Sequence, residues 1–166
     1  MDQVRPQMVK PLPHKENIMT TDSTISTLNG LIKTTLDSMK GYQDAAKDAH
    51  STQFATMFAE FARDRSAAAT DLQAEVRRLG GTPEDDSSFL AAAHRTFMDL
   101  KQAITGKDDK AIIQEVERGE DHIKAKFEDA LRDADLDPSS RPVVEKAFVS
   151  VKEGHDKMSA LKHSIA

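Results

Sequence analysis

The chain contains no cysteine. Disulfides, zinc–thiolate sites, iron–sulfur clusters and thiol catalysis are therefore excluded, while the redox compartment is left open. No apolar run approaches the ~20 residues of a membrane span. The N-terminal MDQVRPQMVKPLPHKENIMT lacks the apolar stretch of roughly 7–15 residues that marks a secretory signal, so the expected address is cytoplasmic. Excess positive charge is missing too: Lys plus Arg is 23 against 28 for Asp plus Glu, a net charge of −5. Without a domain-wide basic footprint, nucleic acid is not an expected partner. Arg5, Lys10 and Lys15 are too few, and too unperiodic, for a membrane-surface anchor. Nowhere does a β-branched run alternate polar with apolar between turns, which removes the strand signal.

What remains is helical. The length of 166 residues suits one domain with a sizeable core. Residues 1–20, with Pro6, Pro11 and Pro13 among isolated charges, read as a flexible arm, and residues 21–166 as the domain. From Asp22 to Ala49, Ile25, Leu28, Ile32, Met39, Tyr42 and Ala46 recur at three- and four-residue steps, the mark of a long amphipathic helix. A second stripe runs from Phe54 through Phe58, Phe61, Ala68, Leu72 and Val76 to Leu79, and Gly80, Gly81 and Pro83 end it. A shorter helix is expected between Phe89 and Ile104, closed by Thr105 and Gly106. The fourth runs from Asp109 to about Ala134 on Ile112, Ile113, Val116, Ile123 and Phe127, and the last carries Val143, Val144, Ala147, Val151, Met158 and Leu161.

The four long helices are each ~40 Å at 1.5 Å per residue, and short breaks within each pair imply antiparallel hairpins. The long connection between hairpins makes the two middle long helices parallel. The expected fold is all-α: a ferritin-like four-helix bundle with an additional short helix in the crossover.

Three strings, LQAEVRRLGGTP, AAHRTFMDLKQAITGKDDKAI and EVERGED, together resemble a bacterial family of ferritin-like four-helix-bundle proteins, domain-of-unknown-function family twenty-three eighty-three. The resemblance runs from about Thr27 to Lys162. It implies the ferritin-like bundle and a bacterial source, and little about activity. In that family pattern a cysteine often stands where this chain has Val116, which removes any thiol role here.

A ferritin-like di-metal centre takes a Glu from each of two helices and a Glu-x-x-His pair from each of the other two. Three residues before His50, His94, His122, His155 and His163 stand Lys47, Ala91, Gly119, Lys152 and Ala160, so the usual pair is missing. Non-standard candidates are Glu117, Glu120, Asp121 and His122 on one helix with His155 and Asp156 on the next. Glu120 continues the apolar stripe of Ile113, Val116 and Ile123, and an acid there must find a partner or shift its pKa.

Two readings follow. In the first, Glu120 is bonded to His155, Arg65 or Tyr42 across the core, and the bundle is a non-enzymatic protein with a stress-related or scaffolding role, a homodimer being a candidate assembly. In the second, Glu117, Glu120, His155, Asp64 and Glu60 hold iron or manganese. His94 with Arg95 reads as a proton-transfer or anion site or, more commonly, as a pair pinning the crossover to the bundle. Gly119 marks close helix approach or room for a ligand. The sequence offers no catalytic residue set, and the reading leans away from an enzyme.

Overall fold

The first helix, α1 (Lys15–Asp48), begins seven residues before the Asp22 start that periodicity predicts. No proline stands between Pro13 and Asp22, so nothing in that stretch stops the helix from extending backward. The computed structural model describes residues 15–85 and 104–165, with side chains from Thr20 onward. Its other helices are α2 (Thr52–Arg78), α3 (Asp109–Arg132) and α4 (Arg141–Ser164), and no strand occurs among the described residues. The expected short helix between Phe89 and Ile104, with His94 and Arg95, falls on 86–103 and lies outside the described residues.

Each helix starts and stops for local reasons. The Ser51 hydroxyl accepts from the Phe54 amide and opens α2, and Asp108 does the same for α3 through Ala111. Gly80 ends α2 with φ +85°, a left-handed conformation that lets its amide and that of Gly81 return to Arg77 and Val76 carbonyls. Pro142 stands in the first turn of α4, where its missing N–H costs nothing.

The hairpins α1–α2 and α3–α4 pack so that α1 lies against α3 and α2 against α4. The direction of α3 follows from one carboxylate. Asp109, its first residue, accepts from the His50 and Ser51 amides at 2.7 and 2.9 Å, so α3 begins beside the beginning of α2 and runs parallel to it. At the opposite end of the bundle, Thr24 of α1 ties the α3–α4 turn through the Asp135 carbonyl and the Asp137 amide. Leu28, Ile32, Phe58, Leu72, Ile112, Ile123, Phe127, Val144 and Val151 fill the space between the four helices, all at most 1% exposed. Burial of such side chains is the main stabilising term, at about 1.5–3 kcal/mol each.

Candidate functional site

Arg65 is fully buried and is the largest such side chain in the described structure. It projects from α2 between Phe61 and Ala68 into the centre of the bundle. Its Nη2 donates to Glu120 Oε2 of α3 at 2.7 Å and, more weakly, to the Val151 carbonyl of α4 at 3.4 Å. Nη1 donates to Ser38 Oγ of α1 at 3.0 Å. The Tyr42 hydroxyl of α1 donates to the other Glu120 oxygen at 2.7 Å, and the Arg65 guanidinium carbon lies 5.5 Å from the Tyr42 ring centre. All four helices thus supply one polar layer.

The fourth wall of this layer is a glycine. A Cβ at Gly154 would collide with Arg65 Nη2 and come within 3.2 Å of Glu120 Oε2. The missing side chain is the space the guanidinium occupies. Burial, and then the Glu120 charge, hold the Tyr42 phenol well above its ordinary value, so it stays protonated and donates.

The interior therefore does not fit the metal centre that a ferritin-like bundle implies. Such a centre needs carboxylates and imidazoles converging from facing helices. At this layer the chain presents a cation, a phenol and a glycine, and both oxygens of the one carboxylate are already bonded to protein donors. The expected set of Glu60, Asp64, Glu117, Glu120 and His155 is not assembled. Glu60 and Asp64 are exposed on α2, because the inward positions of that helix are taken by Phe58, Ala62 and Arg65. Glu120 faces inward to Arg65. His155 does not reach it: Gly154 takes the inward position one turn after Val151, and the neighbouring His155 is carried round to the rim.

The structure does bring two of those residues together, at the outer seam of α3 and α4. Glu117, Asp121 and His155 offer donor atoms all within 4.8 Å of one another. His155 Nε2 lies 2.7 Å from Asp121 Oδ1, and its Nδ1 lies 3.2 Å from Asp156 Oδ1. Glu117 accepts from Lys162 Nζ at 3.1 Å. His122 is exposed and takes no part. Gly119 is exposed, with nothing near where its Cβ would be, so it marks neither a close helix approach nor a ligand space.

A further polar cluster was not visible in the sequence. At the far end of α2, the buried Glu75 takes two hydrogen bonds from Arg78 at 2.7 and 2.6 Å and one from the Ser140 hydroxyl at 2.6 Å. Ser140 stands at the start of α4 yet caps nothing there, because its hydroxyl is donated to Glu75. The Arg78 hydrogen bonds hold the Glu75 carboxyl below its ordinary value, against burial. Between α1 and α2 lie two open hollows, one lined by Leu36, Ala69, Thr70, Gln73 and Asp85 and the other by Gln43, Ala46, Lys47, Ala62 and Arg63, with Met39 and Ser66 shared. Their walls mix small and aliphatic with polar and charged side chains.

The sequence model of the family described as a domain of unknown function, DUF2383, matches residues 23–133. The chain belongs to this family. The match ends with α3, so Val151 and Gly154, which close the polar layer, lie beyond it. No curated protein matches the chain. Among solved structures, it is similar to a two-domain protein from Anabaena variabilis ATCC 29413 with DJ-1/ThiJ/PfpI-like and ferritin-like domains. Identity is 14% and the TM-score 0.71, over 88% of this chain. The chain spans 40% of that protein's length, and at this identity the likeness carries the ferritin-like fold alone.

Proposed function

We propose that this DUF2383 chain is a non-enzymatic ferritin-like bundle of the bacterial cytoplasm, acting through its surface in a stress-related or scaffolding role. One observation carries the reading: the polar layer to which all four helices contribute is closed by the Arg65–Glu120 ion pair and the Tyr42 hydroxyl. A buried guanidinium repels a cation and occupies its space, which leaves the outside of the bundle to do the work. No helix among the described residues is long and apolar enough to cross a membrane. A homodimer is the assembly to test first.

Elemental analysis of protein purified without chelators from iron- and manganese-supplemented cells tests the interior. Neither metal should be retained stoichiometrically, and Glu120→Ala should lose thermal stability. Near-stoichiometric iron or manganese that disappears in a folded Glu120→Ala variant would overturn the reading and favour a divergent metal bundle. Light scattering across a range of protein concentrations tests the dimer.

A further inference from the structure

We propose that Glu117, Asp121 and His155 form a site for a divalent transition ion of the zinc class on the outer seam of α3 and α4. Glu117 and Asp121 are one helical turn apart and share a face of α3, while His155 approaches from α4. Ligand atoms bonded tetrahedrally to one ion at ~2.1 Å stand ~3.4 Å apart. The three donors lie within 4.8 Å of one another, so side-chain adjustment on the order of 1.5 Å brings them onto a common centre. Asp121, 57% exposed, supplies that freedom, whereas Glu117 is buried and His155 half-buried.

A second observation concerns the imidazole rather than the carboxylates. The side chain of His155 is only 14% exposed, and its Nδ1 faces Asp156, a carboxylate outside the donor set. The 2.7 Å contact of Nε2 with Asp121 Oδ1 holds a proton between them, and an ion taking that proton's place leaves Nδ1 against the Asp156 carboxylate, the arrangement that orients and strengthens metal-bound histidines. Glu117 is already partnered by a cation, Lys162 Nζ. An incoming ion displaces that ammonium from the carboxylate and takes over the Nε2–Asp121 contact. One imidazole with two carboxylates suits a borderline ion, whereas magnesium and calcium prefer an all-oxygen shell. Three protein ligands leave a further position for water.

This inference does not rest on the interior reading, since Glu120 is no part of the site. Calorimetric titration of the full chain with zinc chloride is the test, with far-UV circular dichroism on every variant. One ion per chain is expected. His155→Gln and Asp121→Asn should each weaken binding by at least ~10-fold, the scale on which even outer-shell changes act. Lys162→Met should tighten binding several-fold, an outcome that a merely structural seam would not produce. Glu120→Gln should leave affinity unchanged, separating this seam from the interior. Absence of saturable binding, or wild-type affinity in His155→Gln and Asp121→Asn, would overturn the proposal.

Discussion

Gly154 of α4 leaves the volume that the Arg65 guanidinium of α2 fills. A helix interior ordinarily prefers alanine to glycine by about 1 kcal/mol. At this position the preference inverts, because a methyl group would meet Arg65 Nη2 in a layer with no slack. Gly154→Ala should destabilise the protein by about 1–3 kcal/mol, the cost of overpacking. Arg65→Lys, which lacks the colliding group, should recover part of the loss when combined with it. Chemical denaturation of the single and double variants provides the measurement, and a stabilised Gly154→Ala would refute the packing argument.

The Arg65–Glu120 pair holds the layer together less by its own attraction than by the penalty for separating it. Arg65→Met should cost about 3–5 kcal/mol, because Glu120 is then buried without its cation. Thermal unfolding should fall by about 10 °C for a chain of this size. Replacing the whole network, with Arg65→Met, Glu120→Leu and Tyr42→Phe together, should restore most of the lost stability, since no polar group is then stranded. A triple variant less stable than Arg65→Met alone would contradict this account.

Asp37 of α1 has a buried Oδ1 with no hydrogen-bond partner among the described residues, and burial raises its pKa from 3.8 to about 6. A folded-state value above the unfolded one means that the group favours the native state at low pH. That benefit is complete below 3.8 and is lost as pH rises through about 6. Asp37→Asn, which carries no charge to desolvate, should therefore raise the melting temperature at pH 7 by ~2–4 °C. The gain should vanish at pH 4. Equal effects at both pH values would remove Asp37 from the account.

Glu75 behaves in the opposite sense. Its pKa is lowered by the Arg78 hydrogen bonds, so its contribution is present above the ordinary value of 4.5 and is lost as pH falls below it. Glu75→Gln should flatten the acid limb of a stability–pH curve. Ser140→Ala removes one of three donors and should cost about 1 kcal/mol at neutral pH. Urea denaturation at pH 7 and pH 3.5 separates the two effects.

The bundle was legible in the sequence because its apolar residues repeat at helical spacing and its breaks carry Gly80, Gly81 and the DLDPSS turn. Glu120 was legible as an inward acid for the same reason, and Arg65 and Tyr42 as polar residues in core positions. Which partner Glu120 selects was not, because that depends on how the helices are rotated against one another. Val151 and Met158 leave both 154 and 155 on the inner arc of α4, and only the packed structure gives the inward place to Gly154 and the rim to His155. The place of Glu60 and Asp64 on the outside of α2 was hidden on similar grounds: their exposure is set by the inward turn of Phe58, Ala62 and Arg65. Glu75 escaped notice because its partner Ser140 lies 65 residues away.

The two turns of the bundle are each fastened by the opposite hairpin. Asp109 of α3 receives the amides of the α1–α2 turn, while Thr24 of α1 and Glu75 of α2 hold the α3–α4 turn. Each bend also has hydrogen bonds of its own, such as Phe54 to Ser51 in the first and Asp135 to Asp133 and Ser139 to Asp137 in the second, but part of its polar backbone is satisfied only across the bundle. An isolated α1–α2 fragment would expose the His50 and Ser51 amides, and an isolated α3–α4 fragment would lose the acceptor for Ser140. Separating the two hairpins therefore costs each bend part of its hydrogen bonding, and docking of the halves completes both turns at once. Hydrogen exchange at the His50, Ser51 and Asp137 amides thus reports on the contact between the hairpins rather than on either bend alone.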